Sequence, residues 1–282
     1  YRSTLPLGER TTVLYEFMSD QKRHAQIVRC SGCGLVYCNP VHARKHMTTD
    51  EYAGLSVDDI YLRTERFRKM TFRGDHRLFR RHGIAPGRLL DVGCYAGFSL
   101  EVAQECGWKA VGVEAAKWAV DFARKRGLSV IEGSLRDIPF GSESLFDMVV
   151  MSGVIEHIVD PKAALAEIGR RLVPDGFLYM NMPFSDTWAF RILGEKWWGI
   201  NSEHVVFYSR PTIRRLLEEE GYEIIAMGNK VFYYPLFYVS AFLQNIPLLR
   251  ALSRLSEAII PKNAAFPVTV FDTRYVLARK RR

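Results

Sequence analysis

The sequence predicts an α/β fold with a doubly wound, mostly parallel sheet between residues 88 and 182. Short apolar or β-branched runs alternate there with segments of helical length. This alternation is typical of βαβ units, in which a crossover helix returns the chain to the next parallel strand. The runs are RLLDV, AVGVE, LSVIE, FDMVVM and FLYMNM.

Composition limits the class of protein before any motif is considered. The chain has 282 residues, of which 48% are hydrophobic and 25% charged, which suits one sizeable domain with appendages or two small ones. The net charge of +8 favours an anionic partner, whether nucleic acid, a membrane surface or a phosphorylated substrate, without choosing among them. Five unevenly spaced cysteines do not form a disulfide framework, and no signal peptide opens the sequence. We therefore expect a cytoplasmic protein, with membrane association left open.

A long basic helix is predicted before the sheet, over residues 58–82. Apolar residues recur at helical spacing, and the polar side carries many arginines. Such a surface can bind phosphates, but a solvated helix face is the commoner explanation. Nucleic acid is the less expected target because no RNA-binding module accompanies the helix. The basic residues are Arg63, Arg66, Arg68, Lys69, Arg73, Arg77, Arg80 and Arg81.

After the sheet, residues 231–249 form an apolar run without a charged side chain. A membrane span is not expected, because this run is inserted between the last two strands and Pro235 and Pro247 interrupt it. A helical cap or dimer surface is favoured over a segment that dips into a membrane interface. The predicted organisation is an N-terminal extension (1–54), a main domain (55–230 with 264–282) and an inserted apolar helical segment (231–263).

The loop after the first strand has the composition of a ligand-binding turn. In LLDVGCYAGFSL, glycines let the backbone turn sharply beside a helix N-terminus, where unpaired N–H groups favour an anionic or polar ligand. Glu114 ends the second strand, where a carboxylate can accept hydrogen bonds from both hydroxyls of a ribose. These two features also occur in dinucleotide-dependent enzymes, so later motifs must decide.

The later motifs, in order, are GSLRDIPF, FDMVVM, SGVIEHIVDP and RLVPDGFLYMNMP. With them the chain resembles the class I S-adenosylmethionine-dependent methyltransferases, particularly the small-molecule branch with ubiquinone-type O-methyltransferases and sugar methyltransferases. The resemblance covers about half of the chain, from near Gly87 to near Ile225. It implies a Rossmann-like, seven-stranded sheet whose last strand, near Val268 to Ala278, is antiparallel. It also implies S-adenosylmethionine as cofactor and a small-molecule acceptor.

The resemblance also assigns the cofactor contacts by position. Asp91, Gly93 and Gly97 would contact the methionine part, Glu114 the ribose, Ser134 with Leu135 the adenine, and Ser152 the sulfonium, with Cys94 and Tyr95 in the same first loop.

Two positions depart from the family pattern. An acidic residue is usual where Ser134 stands, so the backbone of Leu135 is expected to serve the adenine alone. Tyr95 stands where a glycine is common, and because a positive φ would strain a tyrosine, we expect an ordinary backbone conformation there.

Two histidines are candidates for a general base: His157 in EHIVDP and His204 in NSEHVVFYS, which follow the fourth and fifth strands. The alternative is structural, with His157 bracing the helix that begins near Asp160 and His204 packed in the interior. The segment 183–202 is rich in tryptophan, and either covers the acceptor or completes the core.

The cysteine pair Cys30 and Cys33 resembles half of a zinc ribbon. A zinc site needs four ligands, and Cys38, His42 and His46 complete one only with irregular spacing. We therefore expect a vestigial knuckle and assign no metal ligand.

The sequence thus predicts S-adenosylmethionine-dependent O-methylation of a small molecule, a sugar or a lipid-linked biosynthetic precursor, with C- or N-methylation left open. The alternatives are an RNA or protein methyltransferase, suggested by the basic charge, and a non-catalytic S-adenosylmethionine-binding module, suggested by Ser134 and Tyr95.

Overall fold

The computed structural model describes residues 11–15, 26–39, 59–139, 145–201, 203–235 and 264–281. No helix in these ranges is long and apolar enough to cross a membrane. His42, His46 and the greater part of the expected insertion, residues 236–263, lie outside the described residues.

A seven-stranded sheet forms the centre of the molecule, in the order β10-β11-β8-β7-β4-β5-β6. The pairs β4–β5, β5–β6, β4–β7 and β7–β8 are parallel, whereas β11 runs antiparallel to both β8 and β10. This confirms the predicted fold class, including the single antiparallel last strand. The strands are β4 (Arg88–Val92), β5 (Lys109–Glu114), β6 (Val130–Glu132), β7 (Phe146–Ser152), β8 (Leu172–Pro183), β10 (Tyr222–Pro235) and β11 (Ala265–Lys280).

Helices cover both faces of the sheet, because the central strands are apolar on both sides. Leu90 and Leu89, which point to opposite faces of β4, are 0% and 2% exposed and belong to two separate apolar clusters. The helices are α1 (Asp59–Arg63), α2 (Glu65–Arg81), α3 (Phe98–Glu105), α4 (Lys117–Lys125), α5 (Pro161–Arg171), α6 (Trp188–Leu193) and α7 (Arg210–Glu219).

The expected helix over 58–82 is two helices, separated at Thr64. The Thr64 hydroxyl and N–H both donate to the carbonyl of Tyr61, so the first helix ends there, and the second begins at Glu65. The apolar insertion also begins later than expected. Residues 231–235 continue β10 as a strand paired with β11, so they are extended and not helical.

A second, four-stranded sheet joins the N-terminal part to the main domain. Its order is β1 (Thr11–Tyr15), β2 (Ile27–Cys30), β3 (Val36–Cys38) and β9 (Val206–Phe207), all antiparallel. Ile27 and Val36 are buried against Trp197 and Phe207 in one apolar cluster. The N-terminal strands therefore share a core with the segment that follows β8.

A buried charged network fixes α2 to the sheet. Asp75 on α2 receives hydrogen bonds from Lys230 on β10 and, at 2.6 Å, from the Tyr179 hydroxyl on β8. The Lys230 ammonium also lies 3.2 Å from the Tyr179 oxygen. Lys230 is 3% exposed and Asp75 8%, so each charge depends on the other for the interactions that water would otherwise supply.

Replacing one partner of this pair should be costly. We expect Asp75→Ala to lower the free energy of unfolding by about 3–5 kcal/mol, because it leaves the Lys230 ammonium buried without a counterion. Urea denaturation measures the change.

The matched control is Glu105→Ala, which removes an exposed ion pair with Arg73 and should cost under about 1 kcal/mol. The double variant Asp75→Leu, Lys230→Met should recover most of the loss. A similar effect for Asp75→Ala and Glu105→Ala would contradict this account.

Candidate functional site

A cavity of about 2020 Å³ lies at the carboxyl ends of the parallel strands. Pockets for a single drug-sized ligand measure about 300–1,000 Å³, so this space admits a cofactor and an acceptor together. Its walls include the loops that follow β4, β5, β6 and β7. Most of the residues predicted for the site line this cavity. They are Asp91, Gly93, Cys94, Tyr95, Glu114, Ser134, Leu135, Ser152, His157 and His204.

The loop after β4 requires glycine at two positions. Gly93 and Gly97 have φ values of 71° and 82°, in the left-handed region that side chains disfavour. At Gly97 a Cβ would also lie 2.5 Å from the side chain of Leu128. Gly97, predicted as a cofactor contact, does not line the cavity wall; it lets α3 start against α4 and so sets the shape of the loop.

The expectation of an ordinary conformation at Tyr95 was wrong. Its φ is 49°, which costs a non-glycine residue about 1–3 kcal/mol. Two interactions hold it there. Its N–H donates to Glu114 Oε2 at 2.9 Å, and its ring makes edge contacts with Tyr61 and Trp118, with ring centres 4.5 Å and 5.0 Å away.

Glu114 connects the loops after β4 and β5. Besides the Tyr95 N–H, its carboxylate accepts the N–H of Ala116 at 2.8 Å. The side chain is 6% exposed, so these two bonds set the direction of the carboxylate. Each oxygen keeps a further lone pair for a ligand hydroxyl.

Asp91 lies beneath the glycine loop and is 2% exposed. The Ser99 hydroxyl donates to it. Burial raises the pKa of Asp91 to about 7, with the Ser99 hydrogen bond opposing the rise and the nearby Glu114 adding to it. Cys94 is also buried, and its sulfur fills the space that a side chain at Gly112 would need.

Ser134 is occupied within its own loop. Its hydroxyl donates to Asp137 Oδ2 at 2.8 Å and accepts from the Arg136 N–H at 3.3 Å, which starts a short 3₁₀ helix, Leu135–Asp137. Asp137 thus stands one turn after the position where an acidic residue was expected. At the end of β7, the Ser152 hydroxyl accepts from the Asn181 amide at 2.8 Å.

The structure brings the two candidate histidines together. The rings of His157 and His204 lie edge to face with centres 4.7 Å apart. Nδ1 of His157 bonds the Glu203 carbonyl at 3.0 Å, and Nδ1 of His204 bonds the Gly199 carbonyl at 2.7 Å. Because a carbonyl oxygen only accepts, both Nδ1 atoms carry hydrogen, and in a neutral ring the lone pair is then on Nε2.

Burial, together with the neighbouring His204, lowers the pKa of His157 to about 3. The ring is therefore neutral at physiological pH. The expected bracing of the next helix by His157 is not observed, since Asp160 caps that helix through the Ala163 N–H.

Glu156 is a third member of this group. It is 3% exposed, and burial raises its pKa to about 8. Among the residues that the structure describes, its Oε2 has no hydrogen-bond partner. One ligand atom from each of Glu156, His157 and His204 lies within 4.8 Å of the others.

The tryptophan-rich segment contributes both to the core and to the cavity wall. Trp197 is 0% exposed and completes the core of the small sheet, whereas Trp188 and Trp198 are 58% and 48% exposed and line the cavity. The indole N–H groups of Trp197 and Trp198 both donate to Asp272 Oδ2, at 2.6 and 2.5 Å.

Several cavity residues were not predicted: Tyr61, Asn181, Lys230 and Asp272. They come from α1, β8, β10 and β11, which are distant in sequence from the glycine loop. A polar residue inside an apolar strand, such as the asparagine in FLYMNM, was the one available signal.

Two further expectations concern flanking features. On the basic helix, Lys69 pairs with Glu65 and Glu101, and Arg73 pairs with Glu105, so part of that charge is neutralised within the protein.

Cys38, considered as a zinc ligand, is buried and donates to the His204 carbonyl at 3.4 Å. Among the described residues, neither Cys30 nor Cys33 belongs to a group of three metal-binding side chains.

The raised pKa of Asp91 predicts a pH-dependent stability. Its carboxyl ionises near pH 7 in the folded state but near 3.9 when unfolded, so folding is penalised progressively as pH rises from about 4 to 7. We expect Asp91→Asn to be more stable than wild type at pH 8, by at most about 4 kcal/mol in the free energy of unfolding, and therefore to unfold at a higher temperature. At pH 4 the two proteins should differ little. Calorimetry at both pH values measures this; an equal difference at both would contradict it.

Sequence comparison identifies the domain. Residues 62–227 match the model of a family described as a methyltransferase domain. A ubiquinone biosynthesis O-methyltransferase of Xanthomonas oryzae pv. oryzae is 31% identical over 104 residues, which cover 35% of this chain and 44% of that protein. A cypemycin N-terminal methyltransferase of Streptomyces is 32% identical over 109 residues, covering 36% and 44%. The matches thus span less than half the length of these relatives.

Solved structures agree on the fold. A methyltransferase from Archaeoglobus fulgidus, described as S-adenosylmethionine dependent, has a TM-score of 0.51 at 18% identity and covers 79% of this chain and 100% of its own. Magnesium protoporphyrin IX methyltransferase from Synechocystis PCC 6803, with bound S-adenosylhomocysteine, has a TM-score of 0.51 at 14% identity, covering 81% and 90%. The family match spans more than half of the sequence, and the chain belongs to the S-adenosylmethionine-dependent methyltransferases of the class I, Rossmann-like fold.

Proposed function

We propose that the protein methylates a hydroxyl group of a small molecule bound in the cavity, a sugar or a lipid-linked biosynthetic precursor. One observation carries the proposal: the predicted cofactor loops and the His157–His204 pair line the same cavity. A methyl donor and an acceptor oxygen bound there would share one cavity.

The cofactor end is formed by this chain's loops. S-adenosylmethionine supplies an activated methyl group on a sulfonium. The Glu114 carboxylate, already oriented by two N–H groups, would accept the ribose hydroxyls, and the Leu135 backbone would contact the adenine. Asp91 would provide negative charge beneath the methionine part. Ser152, held by Asn181, would lie near the sulfonium.

The acceptor end combines aromatic surface with the histidine pair. Trp188 and Trp198 offer flat, partly exposed walls suited to a sugar face or a ring. An Nε2 lone pair of His157 or His204 can accept the proton of an acceptor hydroxyl. The oxygen then attacks the methyl carbon, and the electron pair of the carbon–sulfur bond returns to sulfur. The products are a methyl ether and S-adenosylhomocysteine.

A lipid-linked acceptor would agree with contact between residues 231–260 and a membrane interface, whereas a cap or dimer surface there would favour a soluble acceptor. Residues 231–235 form a strand, and 236–260 lie outside the described residues. We retain both acceptor classes for testing.

The RNA methyltransferase alternative has weaker support. Internal ion pairs of Lys69 and Arg73 reduce the charge that the basic helix offers to phosphates. The departures that suggested a non-catalytic module have local explanations, since Tyr95 is held by Glu114 and Ser134 by Asp137.

The direct test incubates the full chain with S-adenosylmethionine and a panel of sugars, phenols and lipid-linked precursors. Release of S-adenosylhomocysteine with the gain of one methyl group on an acceptor hydroxyl supports the proposal. Methylation of RNA or protein alone would replace it with the alternative.

We expect Glu114→Ala to weaken S-adenosylmethionine binding by roughly ten- to a hundredfold, through loss of charge-assisted bonds to the ribose. Calorimetric titration measures the dissociation constant. Glu132→Ala, at the end of the neighbouring strand β6, removes an exposed carboxylate and serves as control. Equal affinities for Glu114→Ala and wild type would contradict the ribose assignment.

If a histidine accepts the hydroxyl proton, removing that ring should lower turnover by about 10²- to 10⁴-fold while cofactor affinity stays near wild type. His157→Ala and His204→Ala should then differ, because one ring takes the proton. His82→Ala, on the exposed end of α2, is the control. Wild-type turnover in both variants would exclude histidine catalysis.

A further inference from the structure

Three side chains converge at the acceptor end of the cavity from two separate segments. Glu156 and His157 belong to a short 3₁₀ helix, Ile155–His157, that follows β7, and His204 precedes β9. The Val205 N–H donates to the Glu156 carbonyl at 2.9 Å, which joins the two segments directly beside the three groups. This backbone hydrogen bond holds the two segments together at the site.

The spacing of the two imidazole rings matches that of ligands around one ion. Two imidazoles that bind an ion at about 2.1 Å, at angles between octahedral and tetrahedral, have ring centres about 4.6 to 5.3 Å apart. The centres of His157 and His204 are 4.7 Å apart, with ring planes at 84°. Ligand atoms of all three residues lie within 4.8 Å of one another, so a small inward movement would bring each to bonding distance.

The hydrogen bonds also resemble those of metal-binding histidines. Such rings usually donate one N–H to a carbonyl or carboxylate, which fixes the other nitrogen as the ligand. Both Nδ1 atoms bond backbone carbonyls here. Independently, Glu156 is only 3% exposed, and within the described part of the chain its Oε2 has no hydrogen-bond partner. A buried carboxyl oxygen without a hydrogen-bond partner is costly unless a ligand compensates it.

We propose that Glu156, His157 and His204 bind one divalent transition metal ion. Two imidazoles and one carboxylate suit zinc, iron, cobalt or nickel, whereas magnesium and calcium prefer sites made of oxygen ligands alone. Three protein ligands leave coordination positions open toward the cavity, as in catalytic sites.

This inference deepens the proposed function and rests on it for the role of the ion. Acting as a Lewis acid on the acceptor oxygen, the ion would lower the pKa of the hydroxyl, whose proton would leave to water. Attack on the methyl carbon and return of the electron pair to sulfur follow as before. Turnover would then require all three metal ligands, whereas proton transfer to one ring requires only one histidine.

The test measures metal binding without any acceptor. Full-length protein carrying Cys30→Ser and Cys33→Ser, which removes the cysteine pair as a competing site, is stripped with a chelator and titrated with Co²⁺ and Zn²⁺. Calorimetry gives the stoichiometry, and the visible Co²⁺ absorption spectrum reports nitrogen and oxygen ligation. We expect one ion per chain.

Ligand variants assign the site. Loss of residues that merely support metal ligands costs about 10- to 100-fold in affinity, so Glu156→Gln and His204→Ala should each cost at least that much. His82→Ala should bind like the parent protein. Titration with S-adenosylmethionine should give unchanged affinity in all of them, which confirms that they are folded.

The outcomes separate the two proposals. No ion bound by the protein that lacks Cys30 and Cys33, or equal binding by Glu156→Gln and the parent, overturns the metal site and leaves methyl transfer untouched. Bound metal with undiminished S-adenosylhomocysteine release after chelation overturns its role in acceptor activation. Absence of methyl transfer to every acceptor with and without metal counts against the proposed function, while the binding result stands by itself.

Discussion

The reversal of strand order between β4 and β7 is the constraint on which the site depends. The chain goes outward from β4 through β5 to β6 and then crosses to β7 on the other side. The loops that follow β4 and β7 therefore diverge and leave a crevice at their carboxyl ends. Asp91 is the last residue but one of β4 and Ser152 is the last of β7, which is why residues 61 positions apart face one cavity.

Within that crevice, one carboxylate offsets the strain of the adjoining loop. Tyr95 adopts a left-handed conformation, and its N–H reaches Glu114 only because the backbone turns this way. A charge-assisted hydrogen bond contributes about 1.5–3 kcal/mol, comparable to the cost of the strain. The same carboxylate is thereby held in one orientation before a ligand arrives, which lowers the entropy lost on binding.

The sequence was informative wherever a local pattern determines the structure. Alternating strands and helices predicted the sheet, and the glycine loop with Glu114 predicted one wall of the cavity. Local patterns did not show that residues 231–235 remain in β10, because this outcome depends on tertiary pairing with β11. The division of the first helix rests on local bonds from Thr64 to the Tyr61 carbonyl, and it was missed because the apolar spacing continues across it. The conformation of Tyr95 was missed because a steric preference was considered without the two rings and the carboxylate that outweigh it. For the same reason His157 and His204 were seen as competitors, although the fold makes them neighbours.

The N-terminal strands help to explain that proximity. β9 is only two residues long and is paired with β3, whose Cys38 N–H donates to the Val205 carbonyl at 2.9 Å while the Val205 N–H reaches Glu156. A strand so short has little stability of its own, so its position depends on the hairpin formed by β2 and β3. The segment that resembles half a zinc ribbon therefore has a mechanical role that needs no ion at Cys30 and Cys33. By holding β9, it fixes His204 beside His157 at the acceptor end of the cavity.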